Sequence, residues 1–156
     1  MKQSAGILLY RIIDTVPEFF LVHPGGPFFA RKHEGWWTIP KGELLPHEEP
    51  LDAAIREFHE ETGYLPTGNF IPLQPVIQKG GKQVMAWLNQ GELDAAAIVS
   101  NTFEVEWPPK SGKRTSFPEV DKAGWFTYDD AKVLINNRQA ALIDEAMTLP
   151  DVQSVL

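Results

Sequence analysis

Ala5 to Ile13 is a continuous apolar run, rich in β-branched and aromatic residues and broken only by Arg11, which predicts a buried strand. Asp14-Thr15-Val16-Pro17 should turn the chain, making Glu18 to His23 the second strand of a hairpin. Pro24-Gly25-Gly26-Pro27 then ends regular structure. Trp36 to Ile39 suggests a short strand running into Pro40-Lys41-Gly42. Asn69 to Gln78 and Gln83 to Asn89 look like strands joined through Lys79-Gly80-Gly81-Lys82. Glu92 to Ala97 could form a helical turn, and Phe103 to Trp107 alternates as a strand with Glu104 and Glu106 on one face. Pro108 to Pro118 is polar enough for a loop, and Ala123 to Thr127 should be another strand. Thr127 with Asp130 resembles a capping box opening a helix to Ile135. A last helix, Gln139 to Thr148, offers Leu142, Ile143, Ala146 and Met147 as its packing face. A hairpin, then a helix, then strands, then helices predicts an α+β or α/β sandwich in a single domain spanning residues 1–156.

The helix between the hairpin and the later strands carries the chemistry. Pro50 suits its first turn and Gly63 its left-handed C-terminal position. At 100° per residue, Leu51, Ala54, Ile55 and Phe58 form one apolar stripe. Glu57, Glu60 and Glu61 share a different face at i, i+3 and i+4. Like charges so spaced cost a bare helix about 0.2–0.5 kcal/mol a pair, a cost that a multivalent cation would reverse. Oxygen donors alone suit a hard cation such as Mg²⁺ or Mn²⁺; a solvated acidic face is the plainer alternative.

Composition narrows the possibilities. The 156 residues are 43% hydrophobic and 22% charged, ordinary for a globular chain, and contain no cysteine. Disulfides, thiolate zinc sites and cysteine nucleophiles are therefore excluded. A formal net charge of −7 argues against broad binding to nucleic acid or an anionic membrane. No run approaches the ~18 apolar residues of a membrane span. The apolar N-terminal stretch has Arg11 inside it and lacks a small-residue cleavage site, so it reads as a core strand rather than a signal peptide. A cytoplasmic protein is the expectation.

Gly42, five residues, Glu48, seven residues, Arg56-Glu57, two residues, Glu60-Glu61, one residue, Gly63 is a long pattern at fixed spacing. It matches the Nudix box, and the chain resembles the Nudix hydrolase family over Gly42–Tyr64 and, in order of elements, over most of its length. The resemblance implies a mixed β-sheet sandwiched between α-helices, the box forming a loop–helix–loop. It further implies metal-dependent cleavage of a phosphoanhydride bond by in-line attack of water, the cation neutralising phosphate oxygens and acidifying the water. By position, Glu57 and Glu61 would be metal ligands and Glu60 a ligand or the general base. Gly42 would lend its carbonyl to the metal, and Arg56 and Glu48 would orient the carboxylates. His47 stands where glycine is frequent and Tyr64 where an aliphatic residue is usual; neither departure removes a ligand.

Trp37 to Gly42 is similar to the segment leading into the box in the diadenosine tetraphosphate hydrolase branch. Glu119, six residues before Trp125, matches a further acidic residue of that branch. It would be a remote metal ligand or general base; it could equally be a plain loop glutamate, and Glu104 and Glu106 are its rivals. Lys41 could contact a phosphate, and Lys110, Lys113 and Arg114 could clamp one. Trp36 or Trp37 could stack on a base, alternation turning one of them inward. Arg31, Lys32 and His33 form a small cationic cluster or a solvated loop. The substrate implied is a nucleoside polyphosphate, best a dinucleoside tetraphosphate, handled by a monomer or homodimer with no stable nucleic-acid binding. Trimming of triphosphorylated RNA 5′ ends is one alternative, and a non-catalytic nucleotide-binding or regulatory module is another.

Overall fold

A computed structural model describes residues 2–154; Met1, Val155 and Leu156, which the expected 1–156 domain includes, lie outside the described residues. Two long strands form the centre. β1 (Gln3–Ile13) and β2 (Val16–Pro24) pair antiparallel through a two-residue turn at Asp14-Thr15, both with positive φ. The turn is tighter than the four residues expected, and Val16 and Pro17 belong to β2. Pro17 is tolerated because the other neighbour of β2 pairs only from Glu18 onward, so no bond is lost there.

The remaining strands are β3 (Lys41–Glu43), β4 (Ile71–Pro72), β5 (Val76–Ile77), β6 (Gln83–Gln90), β7 (Thr102–Glu106), β8 (Arg114–Pro118) and β9 (Val120–Thr127). Seven of the nine strands among the described residues form one mixed sheet along β4-β6-β1-β2-β9, with β3 against β1 and β5 against β6. Only β1 and β6 run parallel among these pairs. The helices are α1 (Pro50–Thr62), α2 (Tyr128–Leu134), α3 (Ala140–Thr148) and a short α4 (Pro150–Gln153).

Alternation along β1 decides the layers. Leu8 and Tyr10 join Phe19, Leu21 and Trp37 under α2 and α3, whereas Ala5, Ile7 and Leu9 join Phe20, Val22 and the Ala53, Ala54 and Phe58 face of α1. A mixed sheet between helices follows, as expected. No helix among the described residues is long and apolar enough to cross a membrane.

Several boundaries differ from expectation for tertiary reasons. Trp36 to Ile39 forms isolated bridges, Val22 with Thr38 and Trp37 with Ile135, rather than a strand. Asn69 to Gln78 is two short strands, with Leu73 to Pro75 leaving the ladder between them. Arg114 to Pro118, expected as loop, pairs with β7 to make a hairpin outside the main sheet. Thr127 precedes α2 but its side chain makes no capping bond, so the capping box is not formed. The buried stripe of α1 is Ala53, Ala54 and Phe58; Leu51 and Ile55 pack at its margin.

Candidate active site

Helix α1 begins at Pro50 and ends where Gly63, at φ 81°, donates its N–H to the His59 carbonyl at 2.8 Å. Because Ala53, Ala54 and Phe58 face the sheet, Glu57, Glu60 and Glu61 are carried toward β3. Glu61 is the most enclosed, at 8% exposure, and the Lys41 backbone N–H donates to its Oε2 at 3.0 Å. Gly42 meets the same face: a β-carbon there would overlap the Glu57 carboxylate. Only glycine lets this strand pass so close to the acidic groups.

Arg56 organises the loop half. It donates Nε–H and Nη2–H to the two Glu48 oxygens, both at 2.9 Å, and Nη2–H to the Glu43 carbonyl at 3.1 Å. Its Nη1 reaches Glu57 at 2.9 Å and Glu60 at 3.2 Å. Glu48 also accepts the Leu45 N–H at 3.0 Å, so one carboxylate fastens both the loop and the arginine. These bonds to Arg56, then Leu45, hold Glu48 below the ordinary carboxylate range. His47 in the same loop has φ 64°, which accounts for glycine being at home in that position.

Glu119 lies just before β9, far from α1 in sequence, yet joins the acidic group in space. Its N–H donates to the Asn101 carbonyl, and the Asn101 N–H donates to the Glu60 carbonyl, each at 2.8 Å. Burial, and then repulsion from Glu60, raises the Glu119 carboxyl above its ordinary range. Burial raises Glu57 too, opposed by Arg56 and reinforced by Glu60 and Glu119. Glu61 is pushed up to about 8, by burial first and by Glu57 next, against the attraction of Lys41. Desolvation in turn lowers the half-buried Lys41 ammonium. Glu57, Glu61 and Glu119 are thus each made harder to ionise by burial and by at least one carboxylate neighbour.

Among the described residues, no three acidic or histidine side chains gather into a closed metal cage. Arg56 Nη1 stands between Glu57 and Glu60, and a cation held there would take over its neutralising role. The donors nevertheless fit a hard divalent cation: they are oxygens, Glu57 raises Glu61 by repulsion, and Gly42 lets β3 pass directly against the Glu57 carboxylate.

Other expected contacts divide. Trp37 is 5% exposed, its ring edge-on to Phe126 at 5.1 Å and to His23 at 5.6 Å, so burial corrects the expectation that it stacks on a base. Trp36, at 39% exposure, is the outward member of the pair, with the Lys32 ammonium 5.4 Å from its ring. Lys110, Lys113 and Arg114 are exposed at the far end of the β7–β8 hairpin, roughly 13 Å of strand from the Glu119 end. Their distance keeps them outside the carboxylate cluster, although the hairpin touches the loop after β2 through Trp107 and Phe28. Glu104 and Glu106 are exposed on β7, and Glu106 accepts the Lys110 N–H at 3.0 Å. Tyr64 packs on Phe58 at 5.9 Å, a purely structural contact. The sequence reading missed Asn101, which works through its backbone alone and leaves no side-chain signal.

A mixed sheet between helices, with a glycine-approached, arginine-braced acidic helix on one face, defines a Nudix-type fold. The family model for the NUDIX domain matches residues 3–146, and the chain belongs to that family. It is similar to the m7GpppN-mRNA hydrolase dcap-2 of Caenorhabditis elegans, 29% identical over 121 residues, which are 78% of this chain and 14% of that protein. A probable DHNTP pyrophosphohydrolase of Lactococcus lactis is 44% identical over 46 residues, 30% of this chain and 23% of its own length. The chain thus spans a minor part of both relatives. In structure it is similar to an Ap4A hydrolase of C. elegans in a binary complex, with TM-score 0.62 and 23% identity over 94% of this chain and 95% of that one. The NUDIX domain of Shewanella oneidensis NrtR complexed with ADP ribose gives TM-score 0.65 and 16% identity over 92% and 84%. At these identities the structural likeness speaks to the fold alone.

Proposed function

We propose that the protein hydrolyses a phosphoanhydride bond in a nucleoside polyphosphate, with a dinucleoside tetraphosphate the leading substrate, using Mg²⁺ or Mn²⁺. One observation carries this reading: Glu57, Glu61 and Glu119, drawn from two distant parts of the chain, are all made harder to ionise by burial and by neighbouring carboxylates, where Gly42 passes against Glu57. A bound divalent cation supplies neutralisation of the phosphate oxygens and acidification of the attacking water. Glu57 and Glu61 would hold it, with the Gly42 carbonyl. Glu60 or Glu119 accepts the proton of the attacking water at a carboxylate oxygen, in keeping with the raised affinity of Glu119 for protons. Arg56 and Glu48 keep the carboxylates aimed. Lys41 neutralises charge beside Glu61, and Trp36 rather than Trp37 offers a ring to a base.

Two features give weight to a second substrate, the 5′ end of RNA. They are the likeness to an mRNA hydrolase and the exposed Lys110, Lys113 and Arg114 on a projecting hairpin. A binding module without catalysis would have no use for acidic groups whose ionisation is made harder by burial and by one another. Incubation with Mg²⁺ and diadenosine tetraphosphate, nucleoside triphosphates, ADP-ribose or 5′-triphosphorylated RNA in ¹⁸O-labelled water separates these readings. Cleavage of the tetraphosphate with label in one product phosphate supports the first reading, and faster cleavage of the RNA supports the second. No product from any of them, with Glu60→Gln binding nucleotide as well as wild type, leaves the binding module.

A further inference from the structure

His23, near the end of β2, is 0% exposed and both its ring nitrogens are engaged. Nδ1 lies 2.7 Å from Asp121 Oδ1, and Nε2 lies 2.6 Å from the Lys32 carbonyl oxygen. The ring thereby ties the Asp121 side chain to the backbone of the Lys32 loop, one nitrogen to each.

Its partner is an unusual residue of the sheet. β2 and β9 pair one to one from Glu18–Thr127 to His23–Lys122, and then Pro24 pairs with Val120. Asp121 is therefore the extra residue of a β-bulge, left without a ladder partner and held by its side chain. Immediately beyond the bulge the Gly25 N–H donates to the Glu119 carbonyl at 2.8 Å. From Glu119 the backbone chain through Asn101 reaches Glu60. A slip of one residue in this register would displace Glu119 by about 3.3 Å and turn neighbouring side chains to the opposite face.

We propose that His23 is a positioning residue for the acidic site: by bridging Asp121 and the Lys32 carbonyl it locks the bulge that holds Glu119 beside α1. The same clamp fixes the loop that carries Arg31 and Trp36. The proposal rests on the reading of Glu119 as a member of the site, so its test has readouts both with and without turnover.

Without turnover, His23→Gln should speed hydrogen exchange of the Gly25 and Glu119 amides while those of β1 stay slow. Unchanged exchange at both amides overturns the proposal even if no substrate is ever cleaved. With diadenosine tetraphosphate and saturating Mg²⁺, His23→Gln should lower kcat about tenfold and leave KM unchanged. Combined with Glu119→Gln it should add nothing to the loss that Glu119→Gln causes alone; full additivity overturns the proposal. Should His23→Gln fail to fold, the more exposed Asp121 carries the same test. Asp121→Ala should reproduce the exchange and kcat losses, and Asp121→Asn, which still pairs with the ring, should restore most of both. Wild-type behaviour of Asp121→Ala, or equal damage from the two, contradicts the role.

Discussion

The Gly42 backbone runs so close to Glu57 that a β-carbon at position 42 would overlap all three atoms of the carboxyl group. Strand β3 and helix α1 are thus fitted to each other at the acidic cluster, and the space glycine leaves is filled by the Glu57 carboxylate. Gly42→Ala should displace the Glu57 carboxylate while β3 still pairs with β1 through backbone bonds. Activity should fall by about 10–100-fold, with a higher Mg²⁺ requirement and little change in circular dichroism. An alanine variant with wild-type Mg²⁺ dependence would show that the close approach is packing only.

Stability of the metal-free protein should fall as pH rises from about 5 to 8. Glu61 holds its proton up to about 8 in the fold, whereas the unfolded chain loses it near the ordinary value of 4.5. Between those values the native state binds more protons than the unfolded one, so the stability this group contributes is lost on the way up. Burial shifts Glu57 and Glu119 in the same direction. Thermal unfolding in EDTA across that range should show the decline. Mg²⁺ should flatten it by binding the ionised form, and Glu61→Gln should flatten it without metal. Equal slopes for wild type and Glu61→Gln would remove Glu61 as the cause.

Glu119 and Glu104 make opposite predictions although both are glutamates of the same hairpin region. Both are exposed, but Glu119 is within electrostatic reach of Glu57, Glu60 and Glu61, whereas Glu104 lies on β7 and acts on none of them. Glu119→Gln should reduce kcat by about 10²-fold or more, and Glu104→Gln should leave it within experimental scatter. A reversal in steady-state assays would return the role to the β7 face.

His47 holds φ 64° in the loop before α1. A left-handed residue other than glycine costs about 1–2 kcal/mol, of which glycine returns about 0.5–1 as entropy lost on folding. His47→Gly should therefore raise Tm by about 2 °C, a net gain of roughly half to one kcal/mol in a chain of this size. A lower Tm in differential scanning calorimetry would mean that the imidazole makes a compensating contribution.

The acidic helix was legible because its signals are local. Pro50, the apolar positions that seat it, the three glutamates and Gly63 all lie within a few turns, and α1 spans Pro50–Thr62 as the pattern indicates. Trp36 and Trp37 were legible as a pair, one in and one out, but not as to which, since that depends on the bridges of Trp37 to Ile135 and Thr38 to Val22. The β7–β8 hairpin was half missed, because Arg114 to Pro118 is polar on a small two-stranded sheet and carries no strong apolar alternation. The bulge at Asp121 was invisible: a ladder register is a relation between two strands, and neither strand states it alone. Glu119 could be named from its spacing to Trp125, but its path to the helix runs through backbone atoms of Asn101 that any residue other than proline could supply.

Cleavage of a polyphosphate through a divalent cation on the α1 carboxylates is decided by initial rates of diadenosine tetraphosphate cleavage across a Mg²⁺ titration, for wild type and Glu57→Gln side by side. Wild type should cleave in a Mg²⁺-dependent way, and Glu57→Gln should be slower by orders of magnitude at limiting Mg²⁺ with the fold intact. Equal rates for the two proteins at limiting Mg²⁺ would remove the cation site from α1.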